Sequence, residues 1–288
     1  MNQERKALIE INIAILLLST VGLFAKWIVL PPTIVILGRV FFASIALLLI
    51  LKISRQKLFL NSTKDLLYLV IVGILFGIHM VAFFESAQIS TIAIAMVTIY
   101  TFPLMIAFIE PAIFKEKIEV LNVILALVAL LGVFLLVPEL DSANNITQGV
   151  LWGLFAALVL SITFVMNRKY VQKYSSSLIV FYECLVSTII LIPFLFIETF
   201  VIRIKDLFLI IILGVVFTAI AYIFYNRGLK YIKAQKAGLI GMIEPVYSII
   251  FAAFLLGEIP DLKTLIGAAL ILSTAFYTQL NTKKLKIK

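Results

Sequence analysis

The sequence predicts an all-α membrane protein of ten transmembrane helices, arranged as two inverted five-helix repeats. Three observations carry this expectation. First, 63% of the residues are hydrophobic and 14% charged, with a mean hydropathy of +1.17; a soluble domain carries about a quarter charged residues. Second, the apolar residues fall in runs of roughly 20, the length that crosses a ~30 Å hydrocarbon core as a helix. Third, the chain repeats at about half its length. Pro103 and Glu116 stand 13 residues apart, as do Pro245 and Glu258, and the two pairs are offset by 142 in a chain of 288. A period of that size means one unit used twice.

In chain order the expected spans are 8–28, 33–51, 66–86, 91–113, 120–137, 149–166, 178–197, 207–225, 237–256 and 262–279. The first follows Arg5-Lys6 but is longer than a leader's apolar core, with no clear small-residue cleavage site, so a retained span is expected. All must be helices, because an unpaired backbone finds no water in lipid. The connections are short and leave no room for a soluble domain between them. The two copies are expected at 1–140 and 141–288.

Orientation follows from Lys and Arg in the loops. With the N-terminus cytoplasmic, nineteen of these residues fall inside and four (Lys26, Arg203, Lys205 and Lys263) outside; Arg39 alone lies within a span. Both termini are therefore expected in the cytoplasm. Five spans per copy is an odd number, so the second copy enters from the opposite face. Inverted repeats of this kind are characteristic of alternating-access carriers, with the substrate site near the midplane between the copies. The repeat extends, more weakly, to Thr33–Arg39 against Ser177–Glu183, offset by 144. Glu183 is expected in the half of the membrane opposite Arg39, without a direct ion pair.

The residues that carry these features resemble the drug/metabolite transporter superfamily and, within it, the EamA-type carriers, over nearly the whole chain. The carriers of the likeness are Lys26, Gly38-Arg39 through Ala43, Phe83-Phe84 with Ala87, Pro103 to Glu116, Gly149 to Ala157, Tyr225-Asn226-Arg227-Gly228-Leu229, Glu244-Pro245 and Gly257-Glu258. The first copy departs from the pattern. Phe102 stands where the second copy has Glu244, Lys115 where it has Gly257, and Glu110-Pro111 adds a proline. The resemblance implies a ten-helix bacterial-type inner-membrane carrier that moves small metabolites, often amino acids or related compounds, outward.

Ionisable groups at membrane depth cost about 2.5–3.5 kcal/mol each at a span centre, so each needs a reason. Glu244 is a candidate cavity carboxylate that binds an amine or takes up a coupling proton; alternatively it is satisfied by backbone freed at Pro245. Pro103 and Pro245 each remove a helix hydrogen bond, making spans 4 and 9 the candidate moving, cavity-lining pair. Arg39 with Lys26 is a candidate attractor of a substrate carboxylate; the alternative is an anchor held by a carbonyl or Glu85. His79 is either a proton relay or a packing residue. Tyr100 and Thr98, with Tyr222 and Asn226, offer hydroxyl and amide groups for a mixed polar and apolar ligand. Gly73-x-x-x-Gly77 and Gly149-x-x-x-Gly153 read as close helix approaches.

Other classes are set aside. The net charge of +9 is scattered between apolar runs, which does not make a nucleic-acid patch. One cysteine, Cys184, allows no internal disulfide, and a single histidine argues against a metal site. No cofactor is expected. No Walker loop, zincin or serine-hydrolase motif is present, so transport runs on a gradient or by exchange, and no enzyme activity is expected. The leading expectation is export of an amino acid or organic amine, with proton coupling open and a monomer or homodimer in contact with membrane lipid. An organophosphate or nucleotide-sugar exchanger is the alternative within transport. A non-transporting structural or lipid-handling membrane protein is the alternative outside it.

Overall fold

The first apolar run folds as two helices, α1 (Gln3–Ser19) and α2 (Val21–Trp27). Ser19 and Thr20 turn their hydroxyls back onto the Leu16 and Leu17 carbonyls at 2.8 and 2.7 Å, the local competition that interrupts a helix. The structure, a computed structural model, describes residues 3–56, 58, 60, 62–114, 120–136, 144–167, 173–228, 240–241 and 243–281. Every regular element among them is helical.

The chain continues through α3 (Pro32–Ile53), which opens on a proline whose missing N–H is harmless in a first turn. Next comes α4 (Thr63–Ile89), capped by Ser62. The fourth apolar run is broken into α5 (Ile92–Ile99) and α6 (Phe102–Phe114), followed by α7 (Val120–Leu136) and α8 (Asn145–Asn167). After α9 (Ser176–Leu191), Pro193 starts the short α10 (Phe194–Ile197). The eighth run is α11 (Ile204–Gly214), a π-helical turn (Val215–Ile220) and α12 (Ala221–Gly228). Last are α13 (Glu244–Leu256) and α14 (Leu262–Asn281).

Seven of the described helical stretches are long and apolar enough to cross a membrane, while Val123–Leu136, Glu244–Leu256 and Leu262–Tyr277 are shorter apolar helices. These three fall at the expected fifth, ninth and tenth spans. The ninth was expected at 237–256; among the described residues it is helical at 240–241 and restarts as a helix at Glu244. The outward faces are apolar, as lipid requires: Leu131 is 64% exposed and Phe254 85%.

Close approaches occur where glycines fall. Gly73 and Gly77 of α4 meet Val186 and Ser187 of α9, and Gly149 and Gly153 of α8 meet Ser90 and Thr98, so both small-residue spacings pack helices. The Ser86 hydroxyl donates to the Gly149 carbonyl at 2.6 Å, and Ser187 to that of Gly73 at 2.8 Å. Gly132 and Gly267 face each other's carbonyl oxygens across α7 and α14.

The packing repeats with the sequence. Gly149 lies against Ser86, joining α8 to α4. The residues 142 away, Ala7 and Gly228, lie against each other and join α1 to α12. A further trace is Lys64-Asp65-Leu66 against Lys205-Asp206-Leu207, at the start of α4 and of α11. An expectation from apolar pattern alone passes over this polar signal.

Candidate functional site

Two proline restarts build the centre of the molecule. Tyr100 and Thr101 form the turn between α5 and α6, and Pro103 sits in the first turn of α6. Pro245 holds the same place in α13, directly after Glu244. The expected kinks are thus interruptions, and Glu244 opens a helix, where backbone N–H groups favour a carboxylate. The two copies meet here. The Tyr100 hydroxyl lies 2.9 Å from Glu244 Oε2 and 3.1 Å from the Gly241 carbonyl oxygen. Tyr100 is buried and Glu244 partly so.

Around this contact the structure gathers most of the side chains singled out from the sequence. Tyr222, Cys184 and Glu244 all lie within electrostatic reach of Arg39, and so does His79. Tyr225, which had no expected role, lies within electrostatic reach of Glu244. The Asn226 side chain lies outside the described residues. Thr98 is not available to a ligand: its hydroxyl bonds the Ile94 and Ala95 carbonyls at 2.7 and 3.2 Å, and Gly153 covers it.

Arg39 has neither expected structural partner. Its Nε donates to the Thr218 hydroxyl at 2.9 Å, not to a carbonyl or Glu85, and its guanidinium carbon lies 5.9 Å from the centre of the Phe84 ring. Glu183, placed from sequence in the opposite half, flanks the same Tyr222 as Arg39. Spans 2 and 7 pack directly together, and no ion pair joins Arg39 and Glu183 among the described residues. His79 is buried, edge-on to Phe76, and its Nδ1 has no hydrogen-bond partner among the described residues.

Lys26, expected to act with Arg39, is engaged by partners of its own. Its Nζ donates to the Gln88 and Ser90 carbonyls at 3.2 and 2.5 Å and lies 3.6 Å from Glu258 Oε1. Glu258 Oε2 accepts the Ile92 N–H, at 2.9 Å, at the start of α5. Gly257, at φ +71°, ends α13 in the left-handed conformation that favours glycine and turns Glu258 back toward α5. Gln88 completes the cluster by donating to the Leu30 carbonyl at 3.0 Å. This polar latch ties the first copy to the second at one end of the bundle.

Glu258→Ala is expected to loosen that end. Labelling of Thr91→Cys by a membrane-impermeant maleimide should quicken roughly tenfold, matching about 1.4 kcal/mol of lost charged contact. Buried Cys184 provides a quiet background. An unchanged labelling rate would show that the latch does not hold the end shut.

The comparisons with known proteins agree with this architecture. The model of the EamA-like transporter family matches twice, at residues 5–137 and 147–279. An "Uncharacterized transporter" of Archaeoglobus fulgidus is 27% identical, covering 91% of this chain and 92% of the relative. "Uncharacterized transporter YxxF" of Bacillus subtilis is 23% identical, covering 93% and 88%. An "S-adenosylmethionine uptake transporter" of Rickettsia conorii is 25% identical, covering 85% and 82%. A solved crystal structure at 20% identity superposes with a TM-score of 0.67 over 98% of this chain and 100% of the other, which shows the shared fold. A chain matched by one transporter model in each half, with a row of apolar membrane helices, is a multi-pass membrane transporter and belongs to the EamA-like transporter family.

Proposed function

We propose that the protein is a secondary transporter of the inner membrane that exports a small amine-bearing metabolite, such as an amino acid or organic amine, by alternating access. The observation that carries this reading is the Tyr100–Glu244 contact between the two proline restarts. A partly buried carboxylate at a helix start, bordered by tyrosines and facing a buried arginine, suits an ammonium and a carboxylate on one ligand. The relatives named for S-adenosylmethionine uptake support it, since that compound carries an α-amino acid end. The uptake in their names makes inward movement the competing direction.

The proposed frame is ten spans in two antiparallel copies, 1–140 and 141–288, with both termini cytoplasmic. The nineteen-to-four distribution of Lys and Arg and the contacts repeated 142 residues apart support it. In that frame the Lys26–Glu258 latch closes the outer end. Transport would exchange that closure for one at the inner end while the ligand sits between Tyr100, Glu244, Tyr222 and Arg39. The organophosphate alternative needs several cations at the site. Among the described residues Lys26 is held by Glu258, which leaves Arg39 to face it.

The test is counterflow in proteoliposomes loaded with amino acids, organic amines, S-adenosylmethionine or sugar phosphates. Saturable counterflow of an amine-bearing compound is the expected result. Counterflow of sugar phosphates alone would replace this reading by the exchanger. No counterflow, with cysteines along α5, α6 and α13 closed to water, would favour a structural protein.

A further inference from the structure

The eighth apolar run contains the one π-helical turn among the described residues, Val215–Ile220. Single π turns inside α-helices cluster at functional sites. Here the turn has a specific occupant. The Thr218 hydroxyl donates to the Leu213 carbonyl, five residues back, at 2.9 Å, and accepts from Arg39 Nε, also at 2.9 Å. Gly214 lets the two backbones close up, since a methyl group there would lie 2.5 Å from the Arg39 carbonyl oxygen. Arg39 is 5% exposed and Thr218 fully buried.

A guanidinium so deep needs a counter-charge. Among the described residues no carboxylate forms an ion pair with it; Glu258 is taken by Lys26 and Asp65 by Lys173. Glu244 is within electrostatic reach but is bonded to Tyr100. With Nε fixed by Thr218, the two terminal nitrogens remain as a fork, the arrangement that takes a carboxylate in two parallel bonds. His79, 9% exposed, adds near this charge a buried Nδ1 that has no hydrogen-bond partner among the described residues.

We propose that Thr218, carried on the π-helical turn, is the positioning residue that aims Arg39, and that the aimed fork makes the transporter select ligands carrying a carboxylate. This rests on the carrier reading above and adds the residue that sets selectivity. Thr218 need not touch the ligand; it acts through Arg39.

The experiment compares each amino acid with its carboxamide and its decarboxylated amine in the same proteoliposome counterflow. The unaltered protein should prefer the acid by about tenfold or more, the size of one charge-assisted contact. Thr218→Val, which keeps the shape and loses the hydroxyl, should raise KM for the acid roughly tenfold, leave kcat and the amine's KM unchanged, and so erase the preference. Thr218→Ser should restore it. Arg39→Lys, which keeps the charge and loses the fork, should erase it as well, and decides the matter if the valine variant does not fold. A valine variant that keeps the preference, or that slows acid and amine alike, would overturn the role of Thr218. An unaltered protein that carries amines as well as acids would overturn the selectivity while leaving the carrier reading intact. An unaltered protein that moves none of them would remove the carrier reading first.

Discussion

Glu244→Gln is expected to reduce transport roughly 100-fold while leaving insertion and folding intact. A charged group at membrane depth costs about 2.5–3.5 kcal/mol, and the amide removes that cost. The amide oxygen can still accept the Tyr100 hydroxyl that now lies 2.9 Å from the carboxylate. Packing is thereby conserved and the charge alone is lost. If Glu244 binds the ligand's ammonium, losing a charge-assisted bond removes about 1.5–3 kcal/mol of affinity, one to two powers of ten in flux below saturation. If it also carries the coupling proton, flux becomes independent of an imposed pH gradient. The paired measurements are initial rates against pH gradient and the melting temperature in detergent. Full flux with an ordinary melting curve would take Glu244 out of the mechanism.

Gly153→Ala should be severe for a different reason. A β-carbon at this position would lie 1.9 Å from Thr98 Oγ1 and 2.8 Å from its β-carbon. The hydroxyl is bonded to the Ile94 carbonyl at 2.7 Å, so it cannot turn aside without losing that partner. Overpacking a tight contact costs about 1–3 kcal/mol and sometimes more, and this clash belongs at the upper end. The melting temperature should fall by roughly 5–10 °C. Adding Thr98→Ala removes the obstructing hydroxyl and should recover roughly half the loss, since residues in contact do not add independently. Equal losses with and without the second change would mean that the helices are not held at this point.

The features readable from the sequence were those set by composition and local chemistry. Apolar runs located the helices, and the two proline positions located the interruptions beside Tyr100 and Glu244. The glycine spacings located the contacts of α4 with α9 and of α8 with α4 and α5, because a missing side chain leaves its mark one helical turn away. What could not be read depended on pairings distant in the chain. Lys26 was set beside Arg39 because both are cationic near one end, yet it bonds Glu258, 232 residues on, and two carbonyls of the third run. Thr218 gave no signal: a lone threonine in an apolar stretch is ordinary, and a π turn has no motif. That Glu183 acts on the same tyrosine as Arg39 gave no signal either, because it depends on how spans 2, 7 and 8 pack rather than on residue counts from a loop.

The mutual approach of Gly132 and Gly267 has a mechanical meaning. Each glycine presents its backbone to the other's carbonyl oxygen, so the crossing of α7 and α14 is set by main-chain surfaces in van der Waals and weak C–H···O contact. The Ile271 and Leu136 side chains close around the same joint, so the two helices are densely packed where they cross. On the carrier reading proposed above this crossing is the fixed pillar, and any rocking of α5, α6 and α13 is borne elsewhere, at their interrupted turns.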